Sequence, residues 1–232
     1  MNARDRLVVA LDVPTAEEAV LLVDRLAGLA GMFKVGSQLF TASGPDLVRG
    51  LVARGEKVFL DLKYHDIPNT VAGAVSAACQ LGVSLVNVHA LGGKAMMEAA
   101  VGAMPAMGTR LLAITVLTSH DAAGLDELGV AGEVTDTVRR LALLAHAAEV
   151  DGVVASPQEV PIVREACGQD FLIVTPGIRP AGARTGDQAR SATPATALKA
   201  GADLLVVGRP IIVAPDPGAA ARAILREMEG AA

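Results

Sequence analysis

The stretch Val58-Phe59-Leu60-Asp61-Leu62-Lys63-Tyr64-His65-Asp66-Ile67-Pro68-Asn69-Thr70 runs from a short apolar segment straight into opposed charges. Alternation along a strand puts Asp61 and Lys63 on one face, roughly 6.5 Å apart at ~3.3 Å per residue. Asp66 follows where the strand has ended and the chain is turning. Two carboxylates and an ammonium at the end of a buried strand are costly to desolvate unless they pair, and such clusters mark sites. Flanking carboxylates keep Lys63 protonated, which suits it to act as an acid rather than as a Schiff-base amine.

Outward from this stretch, apolar runs recur at residues 7–11, 32–35, 85–88, 111–116, 152–155, 171–174 and 204–207. Helical patterns separate them. Thr15 and Glu18 have the spacing of a capping box. Ala19, Leu22, Val23 and Leu26 then recur as on a one-faced helix, with Gly28 as its stop. Similar patterns cover 45–54, 68–81, 94–103, 134–148, 157–166, 194–200 and 217–228, several opening on Pro near the first turn. This repeated strand–helix alternation within 232 residues predicts an α/β protein, a single (β/α)8 TIM barrel spanning residues 1–232. A doubly wound open sheet is the alternative, but no GxGxxG turn follows the first run. No linker, low-complexity segment or charge run divides the chain.

Composition agrees with that architecture. The chain is 52% hydrophobic and only 2% aromatic, so Ala, Val, Leu and Ile must build the core. A net charge of −5 argues against nucleic acid as a partner, leaving any anionic ligand to a few placed cations. Cys79 and Cys167 lack metal or CxxC spacing and read as buried free thiols of a reducing compartment. Met1 to Asp12 holds too short an apolar run for a signal peptide, and no segment approaches a membrane span. A cytoplasmic protein without a membrane partner is expected.

A barrel places its active groups at the carboxyl ends of its strands. The unusual polar residues fall there: Asp12, Lys34, Asp61 with Lys63, Asn87 with His89, Thr118 with Ser119, Gly177-Ile178-Arg179, and Gly208-Arg209. Lys34 can join Asp61, Lys63 and Asp66 in an alternating chain of charge. A structural ion-pair network is the other reading, but position at a barrel mouth favours a site. The Gly-rich loop from Pro176 to Arg190 and the Gly208-Arg209 turn lie where barrels hold phosphate. Arg179 and Arg209 could add charge-assisted bonds, whereas Arg184 and Arg190 read as solvated loop. The loop's length suggests a lid. His89 is expected to plug the mouth with satisfied hydrogen bonds, His65 to point outward, and His120 and His146 to lie on the surface. Met96 and Met97 read as packing, and no grouping has metal-ligand spacing.

These motifs resemble the orotidine 5′-phosphate decarboxylase family in its compact bacterial form. The likeness runs from Val9-Ala-Leu-Asp12 through Phe33-Lys-Val-Gly36, Asp61-x-Lys-x-x-Asp-Ile-Pro-Asn-Thr70 and Val88-His-Ala to Pro176-Gly-Ile-Arg179 and Gly208-Arg-Pro-Ile211. It implies cofactor-free decarboxylation of orotidine 5′-monophosphate, without a metal, by a homodimer in which Asp66 and Thr70 reach the neighbouring site. Lys63 would protonate C6 of the pyrimidine, and Asp61 would lie near the departing carboxylate. Asp61 and Asp66 would hold Lys63. Lys34 would bridge the carboxylates and touch the ribose, and Asp12 would accept from a ribose hydroxyl. Thr118, or the adjacent Ser119, would contact the base. Gln188 would span base and phosphate, with Arg179, Gly208 and Arg209 serving the phosphate. Enzymes of the 3-keto-gulonate phosphate decarboxylase type share Asp-x-Lys-x-x-Asp and use a metal, but the Ile-Pro-Asn-Thr extension and the Arg/Gln loop favour orotidylate. A barrel that only binds a nucleotide is a third reading, for which two cations and two carboxylates would be needless.

Overall fold

A computed structural model describes residues 1–106, 108–180 and 191–231. Its strands are β1 (Leu7–Ala10), β2 (Met32–Gly36), β3 (Val58–Tyr64), β4 (Leu85–His89), β5 (Arg110–Ile114), β6 (Gly152–Val154), β7 (Leu172–Thr175) and β8 (Leu204–Val207). All pair in parallel in sequence order, and β1 closes on β8 to complete the barrel. Both faces of such strands are covered, which is why they read as unbroken apolar runs. The helices are α1 (Ala3–Arg6), α2 (Ala16–Arg25), α3 (Ser37–Ala53), α4 (Pro68–Gln80), α5 (Lys94–Gly102), α6 (Ala122–Glu127), α7 (Val134–Ala147), α8 (Val160–Cys167), α9 (Pro194–Lys199), α10 (Arg209–Ile212) and α11 (Pro217–Glu229). Among them, none is long and apolar enough to cross a membrane.

Alternation sorts the core into two layers. Leu7, Val9, Phe33, Val35 and Leu60 point outward and pack under the helices. Val8, Ala10, Met32, Phe59, Leu112 and Val206 fill the barrel interior. Continuing the inward set by one step along each strand brings the chain to Asp12, Lys34 and Asp61. The same period-two pattern that builds the core therefore delivers the charges to the barrel mouth.

Some expectations need correction. The helix expected over 45–54 is the second of two helical stretches within α3: Gly44, at φ 65° and ψ −168°, leaves the helical region and Pro45 opens the second, whereas the first, from Ser37, was not expected. The helix expected from 157 starts at Val160, after a turn. The short α1, α6 and α10, and a 3₁₀ turn at Ala90–Gly92, are too brief to leave a periodic signal. Cys79 and Cys167 are free thiols, but half-buried rather than buried.

At the end of the barrel away from the charges, guanidinium groups tie the turns together. Arg164, near the end of α8, donates to the carbonyls of Gly168, Phe171 and Gly201 at 3.0, 2.8 and 2.6 Å. It also pairs with Asp203 at 2.8 Å, and Asp203 in turn accepts from the Ile173 N–H at 2.7 Å. The turns leading into β7 and β8 are thereby joined. With the Arg164 side chain only 9% exposed, its removal takes the donor from the buried Phe171 carbonyl and from the half-buried Gly201 carbonyl and Asp203 carboxylate. Arg164→Ala is expected to lower unfolding free energy by about 2–4 kcal/mol in chemical denaturation. A loss below about 0.5 kcal/mol, the size of an ordinary surface substitution, would refute the clamp.

Candidate active site

The mouth of the barrel holds an alternating chain of charge. Asp12, just past β1, lies 3.0 Å from the Lys34 Nζ. Lys34, on β2, lies 3.3 Å from Asp61 Oδ2, and Lys63 lies 2.7 Å from Asp61 Oδ1. Asp61 is thus clasped between two ammonium groups. Lys34, Asp61, Lys63 and Thr118 face one cavity, whose walls include Phe59 and Ser156. Gly36 keeps the cluster compact, since a Cβ there would come 2.9 Å from the Lys34 Nζ.

Local backbone geometry sets the third member. Pairing of β3 with β4 is regular to Leu60 and then slips in register before Tyr64. Inside that bulge Lys63 takes φ 53°, a left-handed conformation costly for a side chain of its kind. Asn87, fully buried on β4, accepts from the Lys63 backbone N–H at 2.7 Å and donates to Asp61 Oδ1 at 2.6 Å.

Burial and charge compete at both inner members. Desolvation alone would raise the Asp61 pKa, but Lys34, Lys63 and the hydrogen bonds from Lys63 and Asn87 outweigh it and hold the carboxyl below its ordinary range. Desolvation alone would lower the Lys34 pKa, but Asp61 and Asp12 reverse the sign and raise it. Asp61 stays anionic and Lys34 cationic at neutral pH. Lys63 is the more open of the two ammoniums, its side chain 37% exposed against 10% for Lys34.

Of the other expected members, some lie at the cavity and some away from it. Asp66 was expected beside Lys63. Within one chain it is instead exposed, and its carboxylate caps the Ile67 N–H at 2.6 Å, because the turn before α4 offers that donor. Thr70 is exposed on the first turn of α4. Thr118 lines the cavity, and Ser119 is not among its lining residues. Gly208 lies against Asp12, where a Cβ would meet Oδ2 at 3.4 Å. Arg209 is exposed at the start of α10. The Arg179 N–H donates to the Ala192 carbonyl at 2.9 Å, joining the stems of the loop after β7. Gln188, Arg184 and Arg190 lie outside the described residues.

Sequence reasoning gave no role to Asn87 and passed over Ser156, which is buried and lines the cavity after β6. Applying the strand-end rule to β6 would have found Ser156. Asn87 was visible as a lone amide inside an apolar run, but its two partners were not. Among the described residues no group of three or more His, Cys, Asp or Glu side chains is placed to hold a metal ion.

Comparison with known proteins meets this geometry. The family model described as orotidine 5′-phosphate decarboxylase / HUMPS family matches residues 5–224. A relative from Moorella thermoacetica, named orotidine 5′-phosphate decarboxylase, is 56% identical over 237 residues, covering 99% of this chain and 94% of its own. One of the same name from Halorhodospira halophila is 59% identical over 228 residues, with 97% of each chain covered. A solved orotidine 5′-phosphate decarboxylase from Lactobacillus acidophilus has a TM-score of 0.84 at 40% identity, covering 96% of this chain and 98% of its own.

His89 departs from its expected role as a satisfied plug. Its ring stacks on His65 with centroids 5.4 Å apart, and its Nδ1 is buried without a hydrogen-bond partner among the described residues. Burial, then the neighbouring His65, Lys63 and His120, lowers its pKa from 6.5 to about 4. Unfolding returns the ring to its ordinary value, so between those two pH values the unfolded chain binds the extra proton. Stability contributed this way rises with pH across the window and is withdrawn as pH falls through it. In His89→Asn the melting temperature is expected to fall less steeply on acidification from about pH 7 to about pH 4.5. Thermal melts with the same slope in both proteins would show that His89 carries none of it.

Proposed function

The chain belongs to the orotidine 5′-phosphate decarboxylase / HUMPS family, and from that premise we propose that it converts orotidine 5′-monophosphate to UMP, the last step of UMP synthesis, with Lys63 as the proton donor. The observation that carries the assignment of Lys63 is its ammonium, 2.7 Å from Asp61 and open to the cavity. Breaking the bond from C6 to the carboxylate releases carbon dioxide and leaves an electron pair in the plane of the ring. The ring's π system cannot spread that pair. A fixed cation beside C6 stabilises it, and a proton moving from Lys63 Nζ to C6 completes UMP. The neutral amine then regains its proton from solvent.

The remaining roles follow the charge chain outward. Asp61 lies beside the departing carboxylate and orients Lys63. Lys34 bridges Asp61 and Asp12 and reaches the ribose, whose hydroxyl donates to Asp12. Thr118 meets the base. Arg179, Gly208, Arg209 and Gln188 serve the phosphate, whose distant binding energy enforces geometry at C6. The neighbourhood of Asp66 supports a homodimer in which Asp66 and Thr70 enter the partner's site. Both are exposed, and Ile67, Leu91 and Leu128 expose 67%, 44% and 60% of their surface. We place this enzyme, a single barrel over residues 1–232, in the cytoplasm, where its substrate would be made.

Two measurements test the reading. Purified protein mixed with orotidine 5′-monophosphate should bleach the substrate's ultraviolet band, and Lys63→Ala should slow this by at least about 10³-fold, having lost both acid and charge. Turnover surviving in Lys63→Ala overturns the role of Lys63. Mixing inactive Lys63→Ala and Asp66→Ala chains should restore about a quarter of wild-type activity, since a two-fold dimer of the two holds one intact site. No recovery on subunit exchange would rule out shared sites.

A further inference from the structure

In the bulge that carries Lys63, the Asn87 side chain bridges the two functional halves. We propose that Asn87 is a positioning residue for the decarboxylation, locking the Asp61 carboxylate and the Lys63 backbone into one rigid unit. The inference rests on the activity proposed above and adds a residue to it.

Three observations converge on Asn87. Its amide is fully buried, so both ends need partners and neither can be shared with water. The nitrogen donates to Asp61 Oδ1 at 2.6 Å, on the oxygen that also receives the Lys63 ammonium at 2.7 Å. The oxygen accepts from the Lys63 N–H at 2.7 Å, a donor set in the register slip between Leu60 and Tyr64. Lys63 therefore keeps its left-handed φ of 53° with its amide satisfied. Without Asn87 the Lys63 N–H and an Asp61 lone pair would both be orphaned, and the bulge could relax toward ordinary strand. Nζ would then leave its place by a distance of the order that costs catalysis about 10²-fold. Asn87 itself is held from below by β4, whose pairing with β5 is regular from Leu85 to His89.

An amide is the suitable group because it both donates and accepts without a charge. Asp61 already faces Lys63 on its own strand, Lys34 on β2 with Asp12 beyond it, and the neutral His89 on β4 approaches Lys63. Asn87→Asp keeps the shape but sets a second carboxyl against Asp61. When protonated, that carboxyl can still donate to Asp61 and accept from the Lys63 N–H. When ionised, it repels Asp61 and competes for both ammoniums. Two carboxyls at this distance hold one proton to an unusually high pH.

The test follows turnover of orotidine 5′-monophosphate against pH in wild type, Asn87→Ala and Asn87→Asp, beside UMP affinity. Asn87→Ala should lose about 10–100-fold in kcat while UMP binding changes less than about 3-fold. Asn87→Asp should gain a pH limb that wild type lacks, with activity retained at low pH and lost as the shared proton leaves. A profile in Asn87→Asp parallel to wild type, or kcat in Asn87→Ala within about 3-fold of wild type, overturns the inference. If Asn87→Ala does not fold, the Asn87→Asp profile decides. Wild type that leaves the substrate intact overturns the activity reading instead. Carbon-detected NMR of the Asp61 carboxyl then decides on Asn87, since the titration must move upward in Asn87→Asp and an unmoved one refutes the link.

Discussion

A carboxylate taken out of water stays ionised only if its neighbours return what the solvent supplied, and Asp61 is the point at which this barrel meets that demand. Its oxygens receive two ammoniums and an amide at 3.3, 2.7 and 2.6 Å. The attraction overcomes desolvation, and the carboxyl ends below its ordinary pKa. Each partner depends on Asp61 in return. Lys34, similarly buried, would be driven toward its neutral form without it. Lys63 would lose the contact that aims it. Removing Asp61 would therefore leave uncompensated buried charge, a larger effect than losing one salt bridge.

The barrel makes this arrangement affordable in free energy by dividing the work between layers. Below the charges, Val8, Met32, Phe59 and Leu112 fill the interior with apolar side chains. Around it, the helices cover the outward residues. These two apolar layers hold the strands on either side of the mouth, where local backbone strain is tolerated. That strain is stored in the left-handed backbone of Lys63.

Much of this was legible in the sequence. Each strand was visible as a run of apolar residues, because strands covered on both faces need no alternation. Asp12, Lys34, Asp61 and Lys63 were placed together by one rule, that polar residues at strand ends face the mouth. What could not be read depended on three-dimensional detail. Asp66 was placed with Lys63 from its spacing, but the Ile67 N–H captures it within one chain. The hydrogen bonds of Asn87 arise from a bulge, which leaves no periodic trace. His89 was read as satisfied because a buried Nδ1 without a partner among the described residues leaves no mark in the sequence.

The cluster's charge also bears on where the groups proposed for the phosphate lie. Asp12, Lys34, Asp61 and Lys63 alternate in sign and sum to zero, so the chain as it stands has no net pull on a dianionic phosphate. A cation left unbalanced there would bind the substrate's carboxylate tightly and thereby stabilise the ground state that must be left behind. Cations for a phosphate are best placed at a distance, and Arg179 and Arg209, the residues proposed for it, stand after β7 and β8 and not on β3. On the proposed reading, binding energy is collected where no bond changes, and the neutral cluster responds to the charge that develops only at C6.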